Sequence, residues 1–305
     1  MIDSESFAKM VPDHPSHVPH ERSRLKGVRD EELYLCAPTV LGYSFGNKLW
    51  GRFTADKFED IDWGEPLLDH LVLSEPKKQL LQSLISADQS VDLVSDVIPS
   101  KAGGFVVILY GKPGTGKTLT AEAAAELRKC PLMTVSAAEL GYKLGEMESK
   151  FRDILQICEA WKGILLIDEA EVYLETRKPG NIEQNGMVSV FLRLLEYHQL
   201  LIFLTTNHID RLDPAVKSRI SVAIKYPDLD DRARAGIWKR FLSRADVEIV
   251  DDDASVDGAE MITQRELRAL GKKDLNGRYY LFERRLMKAN KECSKNSTGC
   301  CETDK

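Results

Sequence analysis

The sequence has no long hydrophobic run. A helix needs about 20 consecutive apolar residues to cross a bilayer, and the longest stretches here, Phe105–Tyr110, Ile164–Ile167 and Leu200–Leu204, are only strand-length. They read as buried strands, and no membrane span is expected. An ordered cysteine framework is also missing. Cys36, Cys130, Cys158, Cys293, Cys300 and Cys301 are scattered, with no C-x-x-C pair among them, which fits a reducing compartment. A basic excess is missing too. A net charge of −6 and a pI of about 5.7 give no overall field for a nucleic-acid backbone. A locally basic pore stays compatible with that balance, but the balance argues against nucleic acid. The opening MIDSESFAKMVPDHPSH lacks the charged-then-apolar pattern of a secretory signal.

What is present is a soluble composition, 43% hydrophobic and 30% charged over 305 residues, enough for about two domains. Residues 1–30, rich in Pro, His, Ser and charge, are expected to lack stable structure. His14, His17 and His20 are evenly spaced there, but no Cys or carboxylate partners complete a metal site. Residues 31–64 read as short strands with turns at Gly42, Gly46 and Gly51, forming a partial N-terminal β-rich module. From 65 to 227 strands alternate with helices. The expected helices are Lys117–Arg128, Glu146–Trp161 and Met187–Leu195, and the expected strands are Phe105–Tyr110, Ile164–Ile167, Leu201–Thr205 and Ser221–Ile224. Such alternation implies a parallel sheet covered on both faces. After Pro227 strand signals disappear. Helices are expected over Asp230–Ser243, near Thr263–Leu270 and from about Leu275, giving a small helical region over 228–290 and a disordered tail over 291–305.

The chemistry is concentrated in four short stretches. Gly111-Lys112-Pro113-Gly114-Thr115-Gly116-Lys117-Thr118, followed by Leu119, matches G-x-x-x-x-G-K-[ST], the pattern of a phosphate-binding loop. Composition alone produces it in roughly one chain in a hundred of this length. Here it also falls between an expected strand and an expected helix, which is the confirming context. Its glycines let backbone N–H groups turn inward around phosphate oxygens, and the helix beginning at Lys117 aims its N-terminal dipole at the same anion. Lys117 supplies a positive charge to the β- and γ-phosphates of ATP, and the Thr118 hydroxyl is placed to ligate Mg²⁺.

Ile164–Ile167 delivers Asp168 and Glu169 to the same end of the sheet. Asp168 suits the metal and Glu169 suits the attacking water, because metal binding and base chemistry need different positions. An apolar run ending in Asp-Glu is common by itself, and its place downstream of the loop gives it weight. Leu201–Thr205 ends in Thr206-Asn207, an amide suited to holding the water, although Asn at a strand end also forms turns. Asp213-Pro214 reads as a helix start, and Arg219 follows it.

In this order and at similar spacings, these stretches resemble the AAA family, the ATPases associated with diverse cellular activities. The resemblance covers residues 65–280. LYGKPGTGKTLTAEA and SVFLRLLEYHQLLIFLTTN are similar to a group of large fungal AAA ATPases, and LYLCAPTVLGYSFGNKLW is similar to the end of the module that precedes the ATPase in that group. This resemblance implies a short version with a reduced N-terminal module. It also implies an α/β P-loop NTPase fold, a five-stranded parallel sheet between helices with a small C-terminal helical lid. The cofactors implied are ATP and Mg²⁺. Arg219 is implied as an arginine finger acting on a neighbouring subunit's nucleotide, Asn207 as a first sensor and Arg278 as a second, with surface arginine as the competing reading of Arg278. A homo-oligomeric ring, usually a hexamer, and an unidentified protein substrate follow from the same likeness, while the reducing compartment that the cysteines fit is the cytosol or alternatively the nucleus.

Three departures qualify the match. The aromatic-hydrophobic-Gly loop that grips polypeptide is replaced by Tyr142-Lys143-Leu144-Gly145, the arginine pair is reduced to Lys217 and Arg219, and YYLFERRLMKANKECSKNSTGCC follows the family's lid poorly. The main reading is therefore a Mg²⁺-dependent ATPase that remodels a protein or complex. Its alternative is an ATP-binding interaction module with little or no turnover. A nucleic-acid motor ranks last, because no basic stripe interleaved with aromatics is visible.

Overall fold

The computed structural model describes residues 1–11, 37–63, 67–86, 104–141, 143–177, 179–243, 247–251 and 261–273. His14, His17, His20, Tyr142, the helix expected from Leu275, Arg278 and the tail over 291–305 lie outside these residues. Contrary to the composition-based expectation, the first eleven residues are ordered. Asp3 caps helix α1 (Ser4–Met10) by accepting the Ser6 N–H, and Phe7 is fully buried. Strands β1 (Thr39–Ser44) and β2 (Leu49–Thr54) pair antiparallel, with Gly42 opposite Gly51 inside the ladder rather than in turns. Gly42 is needed for close approach, since a Cβ there would lie 2.3 Å from the Met1 carbonyl oxygen.

One residue of the main body, Trp161, organises this N-terminal unit. Its ring lies 5.4 to 5.8 Å from those of Phe45, Trp50 and Tyr43, and its indole N–H donates to Asp3 Oδ2 at 2.7 Å. Averaged over 1–30, the Pro- and His-rich stretch outweighs the local signal of residues 1–11. The apolar anchor Phe7 sits ahead of that stretch and finds a partner in Trp50 across space.

Helix α2 (Glu75–Ser86) leads into the main body, whose elements follow in order: β3 (Phe105–Tyr110), α3 (Lys117–Arg128), β4 (Leu132–Ser136), α4 (Ala137–Leu140), α5 (Leu144–Ala160), β5 (Ile164–Asp168), α6 (Glu171–Leu174), α7 (Ile182–Leu194), β6 (Leu201–Thr206), α8 (Pro214–Lys217) and β7 (Val222–Lys225). The five strands form one sheet in the order β4-β5-β6-β3-β7, every pairing parallel. This is the expected α/β architecture. Because side chains alternate across a strand, each strand feeds two cores. Val106, Ile108, Leu165, Ile167, Ile202 and Leu204 pack with α5 and α7, while Val107, Leu109, Leu166 and Phe203 pack with α3 and Leu81 of α2. Strands buried on both faces have no polar face to show, so their sequences read as unbroken apolar runs.

Beyond β7 the chain forms α9 (Asp231–Ser243), β8 (Glu248–Val250), β9 (Met261–Thr263) and α10 (Gln264–Lys272). The parallel β8–β9 pair corrects the expectation of a purely helical region. Each strand has only three residues and is half-exposed, too short for a period of two to register. Thr263 and Glu266 form a reciprocal capping box that starts α10. Trp238, Leu242 and Leu267 make a separate small core. Arg234 ties α9 to α10 by donating to the Gly271 carbonyl at 2.7 Å, where a Cβ would meet the Asp231 carbonyl oxygen at 2.5 Å. Among the described residues no helix is long and apolar enough to cross a membrane.

His198, at the entry to β6, is 2% exposed. Its Nδ1 accepts the Leu200 N–H at 3.1 Å, and burial pushes its pKa down to about 4. The unfolded chain therefore takes up a proton near pH 6.5 that the folded chain refuses until about pH 4. Stability that is present in full above pH 6.5 should fall by about 2–3 kcal/mol on acidification to pH 4.5. Urea unfolding of wild type and His198→Gln across that range checks this: the substitution should flatten the pH slope.

Candidate functional site

The register of the sheet brings the four motif stretches to one edge. Tyr110 of β3 pairs with Thr206 of β6, so Gly111 leaves its strand beside Asn207. Ile167 of β5 pairs with Leu204, which sets Asp168 beside Thr205. Parallel strands present their carboxyl ends together, and ligands of open parallel sheets bind just beyond those ends.

The loop after β3 wraps around the start of α3. Gly111, Gly114 and Gly116 all have left-handed backbone, with φ of 152°, 76° and 100°, so the loop curls in a way side chains rarely permit. Gly111 also has no room, since a Cβ there would lie 2.8 Å from the Tyr226 carbonyl oxygen. Gly116 caps α3 without a side chain, leaving the first-turn N–H groups of Lys117, Thr118 and Leu119 without carbonyl partners in their own helix. Lys117 is 8% exposed. Its Nζ donates to the carbonyls of Gly111 at 2.8 Å and Lys112 at 2.9 Å and to Asn207 Oδ1 at 3.0 Å. Carbonyl oxygens thus surround a cation with partial negative charge, and an anion entering the loop would meet the same ammonium.

Thr118 Oγ1 donates to Asp168 Oδ1 at 3.5 Å. A hydroxyl and a carboxylate set this close are hard oxygen donors that fit Mg²⁺, a cation that keeps several waters and takes only one or two protein ligands. Asp168 is itself held by a short hydrogen bond from Thr205 Oγ1. Thr205 Oγ1 also accepts the Glu169 N–H at 3.0 Å, and the Thr205 carbonyl accepts the Ala170 N–H at 2.9 Å. These contacts hold Glu169 in left-handed backbone at φ 54°, a conformation costing about 1–2 kcal/mol for a non-glycine residue.

Sequence reasoning did not find Thr205 or Glu171. Glu171 Oε1 accepts from Asn207 Nδ2 at 3.5 Å, while Oε2 is buried with no partner among the described residues. The signal for Thr205 was a second hydroxyl at the end of a wholly apolar strand, and for Glu171 a third acid within four residues.

The remaining motif residues sit nearby but apart. Asp213 caps α8 through the Ala215 N–H at 2.9 Å and pairs with Arg177 at 3.0 Å. Burial works to raise its pKa, but the Ala215 N–H and Arg177 outweigh that and hold it below the usual carboxylate value. Arg219, just past α8, donates to Glu196 Oε2 and to the Ala215 carbonyl, each at 3.0 Å, while its Nε is buried without a partner among the described residues. Lys143 and Leu144 begin α5 with exposed side chains. Pro113 lies in the turn of the loop, and Lys112 pairs with Asp228 at 2.6 Å.

The fit of the loop onto Tyr226 generates a paired prediction. Gly116→Ala meets only an ordinary van der Waals contact, Leu71 Cδ2 at 3.8 Å, so it should cost about 1–2 kcal/mol of backbone strain. Gly111→Ala adds a clash with the backbone of Tyr226 and should destabilise the fold more. Denaturant unfolding of the two variants checks the order.

Residues 107–228 match the family model described as "ATPase family associated with various cellular activities (AAA)". Among curated proteins, the chain is 34% identical over 145 residues to 26S proteasome regulatory subunit 8 of Caenorhabditis elegans, covering 44% of this chain and 35% of that protein. It is 36% identical over 145 residues to the Saccharomyces cerevisiae homologue, covering 44% of this chain and 36% of that protein. The chain thus spans little more than a third of the length of these relatives. The matched span contains the phosphate loop from Gly111, Asp168, Glu169, Asn207 and Arg219, and the similarity to AAA ATPases is a similarity of residues 107–228.

Proposed function

We propose that this chain binds and hydrolyses ATP with Mg²⁺ and couples the cycle to remodelling of a protein or complex. The observation that carries the reading is the convergence of Lys117, Thr118, Asp168 and Asn207 at one sheet edge, linked by contacts of 3.0 to 3.5 Å. Gly111, Lys112, Pro113, Gly114, Thr115, Gly116 and Leu119 shape the loop that receives the phosphates. Thr118 and Asp168 are the residues that would hold Mg²⁺. When bound, the ion supplies positive charge to the phosphate oxygens. Lys117 neutralises the β- and γ-phosphates. Asn207 orients the attacking water, and Glu169 takes up its proton as the bond between the γ-phosphorus and the bridging oxygen breaks, giving ADP and inorganic phosphate.

Arg219 acts on the nucleotide of a neighbouring copy in a ring, proposed as a homo-hexamer. Its exchange of Glu196 for phosphate oxygens is part of assembly. The regulatory subunits of the 26S proteasome to which the chain is similar support action on a protein substrate in cytosol or nucleus. Residues 31–64 and 228–290 serve as partial N-terminal module and lid around the core at 65–227, and Arg278 is assigned to the lid as second sensor. The grouping with large fungal AAA ATPases belongs to the same reading. A second reading, an ATP-dependent binding module with little turnover, is favoured by the engagement of Arg219 within its own chain.

Steady-state hydrolysis against protein concentration separates the two. Wild-type turnover should rise cooperatively with concentration. Glu169→Gln should lower it at least ~100-fold with ATP binding intact, and Arg219→Ala should lower it ~1,000-fold or more. Wild-type turnover no greater than that of Glu169→Gln at every concentration would establish the binding module instead.

A further inference from the structure

The side-chain amide of Asn207 lies between opposite charges. Its Oδ1 accepts from the Lys117 ammonium at 3.0 Å, and its Nδ2 donates to Glu171 Oε1 at 3.5 Å. An amide in such a gap has one favourable orientation. Rotating it by half a turn would aim its N–H groups at the ammonium and its oxygen at the carboxylate, leaving both ends repulsive. Glu171 has nowhere else to spend its charge, because the buried Oε2 has no partner among the described residues. A carboxylate so placed, on the short helix α6 that begins just after Glu169, belongs to the site's geometry rather than to the helix surface.

We infer that Glu171 is a positioning residue for the Asn207 amide. It holds Nδ2 on its own side so that the acceptor Oδ1 always faces the phosphate loop. This deepens the ATPase reading and rests on it. An Oδ1 turned toward the loop offers an acceptor to water, whereas a flipped amide would offer a donor to a phosphate oxygen. Glu171 thereby sets which of the two Asn207 does. When an anion draws Lys117 away from Oδ1, the carboxylate remains as the fixed end of the pair and keeps the acceptor presented. The contact at 3.5 Å is long for an N–H···O bond, as hydrogen bonds of unloaded sites often are before they tighten.

The test uses the whole chain and two readouts. In ¹H–¹⁵N spectra of the nucleotide-free protein, the Asn207 side-chain NH₂ pair is assigned by its loss in Asn207→Asp. That pair should move to the solvent-exposed position in Glu171→Leu and stay displaced in Glu171→Gln, whose carbonyl still accepts. In hydrolysis assays Glu171→Leu should lower kcat about tenfold, with affinity for a fluorescent ATP analogue within threefold of wild type. Glu171→Gln should recover most of that loss, and Glu171→Leu/Asn207→Ala should be no slower than the worse single variant. An NH₂ pair unmoved in Glu171→Leu overturns the inference, as do losses that multiply in the double variant. A wild-type chain without turnover would overturn the ATPase reading alone, and the NH₂ shift would then decide this inference by itself.

Discussion

The pairing of β6 with β3 on one side and β5 on the other is the constraint on which the rest of the molecule depends. Backbone hydrogen bonds fix that register along all of β3 and over Ile164–Ile167 of β5, and the burial of every β6 side chain resists any slip. A shift of one residue would turn Leu204 and Phe203 toward each other's cores. It would also move Thr205 away from Asp168 and Asn207 away from Lys117. Apolar packing in the middle of the sheet therefore sets polar distances at its end, and the site has rigid strands rather than loops behind three of its members.

Electrostatics at that end works by enclosure. Two carbonyl oxygens and one amide oxygen surround the ammonium of Lys117, and that amide is bonded in turn to Glu171. Such a network costs little to keep assembled before an anion arrives, because the positive charge already has partial negative charge around it. The left-handed turn at Glu169 is the strained part of the arrangement. Thr205 offsets that strain with two hydrogen bonds, one to the residue on either side of the Asp168–Glu169 peptide.

Much of this was legible in the sequence, for identifiable reasons. Glycine at 111, 114 and 116 and the Lys117–Thr118 pair form a pattern dense enough to identify alone, and strands buried on both faces appear as unbroken apolar runs. Asp213-Pro214 announced a helix start because a capping carboxylate and a ring-fixed φ both act locally. The features missed depend on distance in space rather than along the chain. Nothing near Trp161 foretells that Asp3 will accept its indole N–H, and nothing near Arg219 foretells Glu196. Gly42 and Gly51 read as turns because glycine usually breaks strands, whereas here Gly42 makes room for another strand-like segment at Met1 and Ile2. The β8–β9 pair escaped because three half-exposed residues carry no period.

Tyr226 has a mechanical consequence. Its N–H donates to the Tyr110 carbonyl at 2.8 Å, its hydroxyl forms a short bond with Thr120 of α3, and its backbone fills the space a side chain at Gly111 would need. The segment leaving the sheet for α9 is thus pinned at both ends of one residue to the strand and the helix that bracket the phosphate loop. Any swing of α9 and α10 must hinge beyond this point, over Pro227–Asp230, with Tyr226 as a stationary fulcrum. Leverage applied to the small C-terminal unit then arrives first at Gly111, so the loop and that unit share a single bearing.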